Sequence, residues 1–181
     1  AVFIDIADPP AAERIEAALG NLRESFRDHN YTRMARETAR LKAAGGDPLE
    51  AVRRAVLWTH DRFEWGTTHA IAAAPDWLEL GEDFGGRDAP SALIPYVEVV
   101  AHLAWDSLRW EQFPFAECVA DFDSDRLVDA IEAEDEAAAL AQVRGAIAGP
   151  GWRELDAPLT RAALAHYQDF GPSLIYCYKT R

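Results

Sequence analysis

The stretch GGDPLEAVRRAVLWTHDRF, Gly45 to Phe63, decides the fold. Gly45-Gly46 is the left-handed stop that ends a helix before it. Asp47 is a capping residue, and Pro48 fills the first helical position, where its missing N–H has no partner to lose. PLEAVRRAVLWTHDRF then reads as one helix. Outward from it the text stays helical apart from a short extended start at residues 2–6. Pro9-Pro10 opens a first helix to about residue 22, and a second covers residues 31–44. Trp65-Gly66 interrupts the third, after which Thr67 or Thr68 can cap a short helix carrying His69. LGEDFGGRDAP, residues 80–90, is the clearest long loop. Helices follow over residues 92–110, 125–147 and 158–170, with a last segment from Pro172. The predicted fold class is all-α: a multi-helix bundle or short solenoid-like array, read as a single helical domain over residues 1–181.

The text also repeats. NYTRMARETARLKAAGG from Asn30 aligns without a gap with DEAAALAQVRGAIAGPG from Asp135, an offset of 105 residues. Each leads through Pro-Leu into a histidine helix and then to an aromatic-Gly break, Trp65-Gly66 and Phe170-Gly171. This predicts repeat-like units at 30–78 and 135–181, with His60 and His166 equivalent across a pseudo-twofold axis. The second copy would then continue past Arg181. Ala1 in place of Met and the aromatic ending YCYKTR point the same way. We expect a piece of something longer, completed by an additional domain or a second chain.

The 181 residues suffice for a substantial core. A net charge of −13 argues against nucleic acid and against an anionic membrane surface. The densest acidic run, around Glu132 to Glu136, reads as a solvated helix face. Cys118 and Cys177 lie far apart without CxxC spacing, and are expected as buried free thiols in a reducing compartment. With no charged-then-apolar leader and no long apolar run, the expected location is cytoplasmic.

His60, His69, His102 and His166 lie in apolar, aromatic-rich strings: AVLWTHDRF, GTTHAIA, VEVVAHLAWD and ALAHYQDFG. One such histidine is an ordinary core residue. Four predict imidazoles converging on one interior point, and a metal ion is the simplest reason to bury several neutral imidazoles together. His29, in RDHNYT, reads as an inter-helix turn. Glu98, His102 and Asp106 follow at i, i+4 and i+8, each about 40° further round one helix face. Either His102 points inward as a ligand with Glu98 or Asp106 holding its second nitrogen, or the carboxylates form a wet stripe with His102 at its edge. The Trp65-Gly66-Thr67 break allows His60 and His69 to face one cavity; alternatively Thr67-Thr68-His69 is an exposed helix start. The plain reading of His166 is a core histidine bonded to a backbone carbonyl.

Lys179 and Lys42 are the only lysines among 18 basic residues. Lys179 lies behind Leu174-Ile175-Tyr176-Cys177-Tyr178, where desolvation favours a neutral, nucleophilic amine. Such an amine takes up carbon dioxide to form a carbamate, an anionic oxygen ligand. A lysine snorkelling from the end of an apolar helix is the alternative.

AHYQDFGPSLIYCYKT, with WTHDRF and WGTTH upstream, resembles the questin oxidase-like family and the helical regions attached to some bacterial Rieske-type proteins. The resemblance implies an all-helical enzyme that oxidatively opens anthraquinone-type rings at a mononuclear non-heme iron, held by four histidines and a carboxylated lysine. By position His166 and Lys179 match best, then His60, then His69 and His102. The match covers part of the length of such proteins, and Pro172 stands after Gly171 where histidine is common. The implied function is an iron oxygenase using O2 on an apolar, aromatic or quinone-like small molecule. Trp58, Trp65, Trp105, Tyr176 and Tyr178 are candidate pocket walls, each as readily a core residue.

The main competitor is a non-catalytic α-helical protein-interaction module, in which the histidines scatter. A dinuclear carboxylate oxygenase needs Glu-x-x-His strings, but Leu57, Gly66, Val99 and Ala163 stand three residues before the histidines. There is no HExxH, and Gly85-Gly86 follows no strand that would make it a phosphate loop.

Overall fold

The computed structural model describes residues 9–63, 69–83, 90–107, 112–166 and 172–179. Among these, helices are the only regular structure, so the chain is all-α. The extended start expected at residues 2–6 lies outside them. Where the sequence reads as one domain, the chain divides into two compact units, Ala1–Gln112 and Phe113–Arg181.

Unit 1 contains α1 (Ala11–Arg27), α2 (Tyr31–Ala43), α3 (Pro48–Thr59), α4 (His69–Asp83) and α5 (Ile94–Asp106), the last entered through a 3-10 turn at Pro90–Leu93. Helix α5 packs against each of the other four. Its Val99, Val100, Leu103 and Ala104 are fully buried, because their i, i+1, i+4, i+5 spacing turns one broad apolar face inward. Leu22, Met34, Leu41, Ala51 and Ala55 complete this core. Buried hydroxyls stay satisfied by bonding back to their own helices, Thr38 to the Met34 carbonyl at 2.9 Å and Thr59 to that of Ala55 at 2.8 Å. Helix α3 starts where predicted, with the Asp47 side chain accepting from the Leu49 N–H, but ends at Thr59 rather than at Phe63. The helix carrying His69 is longer than expected and takes in residues 80–83 of the predicted loop. Gly81 accounts for part of this: a Cβ there would collide with the Pro95 ring, so its absence lets α4 lie close on α5.

Unit 2 opens with an extended segment, residues 113–123, followed by α6 (Ser124–Glu132), α7 (Glu136–Ala148), a 3-10 turn (Trp152–Leu155), α8 (Asp156–Ala165) and α9 (Pro172–Lys179). The extended segment lies on α7, with the Ala120 N–H donating to the Ala141 carbonyl at 3.1 Å and the Asp123 N–H to the Gln142 side chain at 2.7 Å. A Cβ at Gly145 would overlap the Ala120 carbonyl oxygen, so this crossing requires glycine. Leu127, Ala146 and Leu155 form the core, with Phe122, Ile131 and Val143 against it.

The single helix predicted over residues 125–147 is two helices. Glu134 adopts a left-handed φ of 54°, and the Asp135 side chain caps α7 by accepting from the Ala138 N–H at 3.0 Å. The acidic run read as one solvated helix face therefore contains a turn. That turn repeats the one between α1 and α2. There His29 has φ 51° and Asn30 caps α2 through the Arg33 N–H at 3.0 Å. Asn30 N–H donates to the Ser25 carbonyl at 2.8 Å, and Asp135 N–H to that of Ala130 at 2.9 Å. Helices α2 and α7 each have 13 residues. At their far ends Gly46 N–H reaches Leu41 at 2.9 Å, and Gly151 N–H reaches Ala146 at 2.7 Å. Every one of these pairs is separated by the same 105 residues found in the sequence alignment. The match is one of hairpin geometry, and a duplication of the chain is a proposal that it supports.

Candidate functional site

The ends of α1 and α3 bound a groove of about 820 Å³ in unit 1. Its floor is aromatic. Phe26 and Trp58 meet edge to face, with ring centroids 5.4 Å apart at 66°, and both line the groove beside Leu57. Phe26 belongs to the core, Trp58 is half-buried against it, and Leu57 is an exposed lip. His60, the residue that ends α3, stands on the edge. Its Nδ1 lies 2.9 Å from the Leu57 carbonyl oxygen. A carbonyl only accepts, so Nδ1 carries the proton and Nε2 is the nitrogen left for a ligand.

The rim also carries charged side chains. Arg23 and Arg27 come from successive turns of α1, and Arg62 follows α3. Among the described residues the carboxylates lining the groove are engaged: Glu24 binds the Arg33 guanidinium at 2.8 Å, and Asp61 accepts from the Gln112 amide at 2.8 Å. His29, assigned to a turn, is indeed in one and also lines the groove.

Of the predicted metal ligands only His60 lines this groove. His60, His69, His102 and His166 are all exposed, which corrects the expectation of buried imidazoles. On α5 the inward face is taken by Val99, Val100, Leu103 and Ala104, and on α8 by Ala162 and Ala163, which leaves the histidines of both helices on the outer side. His69 is the first residue of α4, in agreement with an exposed helix start. His102 leans on the Trp77 ring at 5.4 Å, with its Nε2 3.9 Å from a Glu98 carboxylate oxygen. Glu98 thus accompanies His102, but on the outside of α5, and Asp106 is exposed on the same helix. His166 ends α8, and its Nε2 lies 3.0 Å from a Glu132 oxygen. The partner is a carboxylate where a backbone carbonyl was expected. Lys179 ends α9 half-buried, with its amine 5.6 Å from the Tyr178 ring centroid. Among the described residues no group of three or more His, Cys, Asp or Glu side chains gathers to hold a metal.

Of the predicted pocket walls, Trp58 does line the groove. Trp105 and Tyr178 are 58% and 66% exposed, Tyr176 is half-buried on α9, and Trp65 lies outside the described residues. Cys118 is exposed and bonded to the Ala137 carbonyl, and Cys177 is half-buried, so neither is the fully buried thiol expected. No helix among the described residues is long and apolar enough to cross a membrane.

No protein-family model, curated protein or solved structure matches the chain. The groove must therefore be read from its own chemistry.

Proposed function

We propose that the chain binds a small planar aromatic molecule in the unit 1 groove, as the substrate-holding part of an oxidoreductase of the questin oxidase-like kind. One observation carries this reading: an 820 Å³ groove with a Phe26–Trp58 floor and an imidazole whose free nitrogen is Nε2. That volume falls in the range of small-molecule sites. An imidazole tied through Nδ1 to a carbonyl is also oriented as protein metal ligands commonly are. Iron with dioxygen, held by His60, His69, His102, His166 and a carboxylated Lys179, belongs to the family resemblance. The three histidines of unit 1 do not gather into such a centre.

The test pairs two measurements on the whole chain. Calorimetric titration with the neutral aromatic 2-naphthamide should show binding that weakens in Leu57→Glu, which puts a charge on the exposed lip without disturbing the core. In metal analysis of protein purified without chelator, about one iron per chain, lost in His60→Ala, would support the oxygenase part of the reading. Binding without iron would keep the aromatic site and discard the oxygenase. Neither binding nor iron would leave the non-catalytic interaction module. Exposed Ile94 and Trp105, 57% and 58% accessible on α5, are the observation that favours that second reading.

A further inference from the structure

We infer that the groove of unit 1 selects an aromatic carboxylate, with Arg23 and Arg27 holding the anion over the Phe26–Trp58 floor. The inference rests on the groove being a site for aromatic molecules. Arg23 and Arg27 stand at i and i+4 on one face of α1, where like charges repel unless an anion lies between them. Their charge is not needed to finish the helix. A cation near a helix C-terminus is favourable only within the last turn, which accounts for Arg27 and not for Arg23. Among the described residues no ion pair engages Arg23. Arg27 has only the exposed Asp28 at 3.5 Å, a pair of little strength in water.

The matching hairpin of unit 2 supplies an internal control. At the places of Arg23 and Arg27 it has Val128 and Glu132, 105 residues on in each case. The same turn, cap and far-end bonds form there with no arginine at either position. The two guanidinium groups are therefore not scaffolding for this hairpin. The comparison goes further at the adjoining helix end. In unit 2 the imidazole of His166 is met by the Glu132 carboxylate at 3.0 Å. In unit 1 the corresponding side chain is Arg27, and among the described residues no carboxylate pairs with His60. A ligand carboxylate would restore the charge pattern there, paired with guanidinium forks that suit its planar geometry. The aromatic body attached to it would lie on Trp58.

The experiment compares 2-naphthoate with the isosteric neutral 2-naphthamide, by calorimetry on the wild-type chain and on an Arg23→Gln/Arg27→Gln variant. Both substitutions are on exposed helix surface, and circular dichroism would confirm an unchanged fold. The expected result is that naphthoate binds about tenfold or more tightly than the amide, and that the variant erases this preference while leaving the amide unchanged. Equal affinity of the two ligands for the wild type would overturn the carboxylate inference and keep the aromatic site. An equal loss of both ligands in the variant would also overturn it, by making the arginines structural. Binding of neither ligand would sink the inference and the aromatic site together.

Discussion

Leu22 and Leu127, Glu37 and Gln142, Leu41 and Ala146 occupy matching positions in two hairpins, α1–α2 of unit 1 and α6–α7 of unit 2. The first pair is buried in both cores at 1% exposure, so the role is kept along with the residue. The second pair keeps burial and changes chemistry. Glu37 is an inward carboxylate held by Arg40 at 2.8 Å, whereas Gln142 is a neutral amide accepting from Asp123 N–H. The third trades a large side chain for a small one. Arg40 itself corresponds to Gly145, and that exchange explains why the extended segment can cross α7. The backbone of such a hairpin is thus set by its turn, its cap and one leucine, and the remaining positions are open to other uses. In unit 1 the other use is a cationic, aromatic-floored groove.

The largest effect that could break this comparison is at Gly145. Valine there would overlap the Ala120 carbonyl, and we expect a loss of roughly 3 kcal/mol in urea unfolding, with the segment at residues 113–123 losing amide protection. Tolerance of valine would mean that the segment does not cross α7 as described.

Next comes the buried carboxylate. Arg40→Ala leaves Glu37 with the Asn21 amide at 3.5 Å and should cost about 2 kcal/mol, less than a fully buried pair because Arg40 is itself largely exposed. Glu37→Gln installs the residue that unit 2 uses and should recover most of that loss in the double variant. A double variant no more stable than Arg40→Ala alone would show that the two buried positions are not interchangeable.

The caps offer a sharper and smaller test. Asn30→Ala and Asp135→Ala each remove one side-chain acceptor from the second helix of a hairpin and should each cost about 1 kcal/mol. Costs that differ several-fold, measured by the same denaturant titration, would mean that the two turns share geometry but not energetics.

The smallest effect is at Asp123, which has no counterpart cap in unit 1 because α1 begins at Pro10 without a side-chain bond. The N–H groups of Arg126 and Asp125 hold its carboxyl below the ordinary value of 3.8. A lowered folded value means that this stabilisation is complete above the ordinary value and is lost as the pH falls through the folded one. Asp123→Asn keeps a capping oxygen but not the charge. The gap in melting temperature between wild type and variant should therefore be present at about pH 6 and shrink as the pH falls below the ordinary carboxyl value. A gap that is constant with pH would contradict the cap assignment.

Much of the fold was legible because its signals are local. Gly45-Gly46, Asp47 and Pro48 end one helix and start the next within four residues, and α2 and α3 begin within a residue of where they were expected. The split between α6 and α7 was missed because Glu134 takes a left-handed conformation without glycine or proline to announce it. Asp135, followed by Glu136 in the first turn, was the available sign of a cap. The site was less legible. Four histidines in apolar text suggested burial, but Val99, Val100, Leu103 and Ala104 take the inward face of α5 and Ala162 and Ala163 that of α8, so His102 and His166 point out to meet Glu98 and Glu132. Trp58, expected as a pocket wall, and His60, expected as a metal ligand, both line the groove of unit 1, a setting that no local pattern announces. Arg23 and Arg27 were passed over, although two arginines four apart on one face of an acidic chain were visible in the text.

The most direct measurement is a ¹H–¹⁵N NMR titration of the whole chain with 2-naphthoate, following assigned signals at Phe26, Trp58 and His60 against those at Ile131, Leu164 and His166. The account predicts saturable shifts at the first set and none at the second, because unit 1 presents arginine and an aromatic floor where unit 2 presents Glu132 against His166. Shifts at the unit 2 corner, or equal shifts at both, would contradict it.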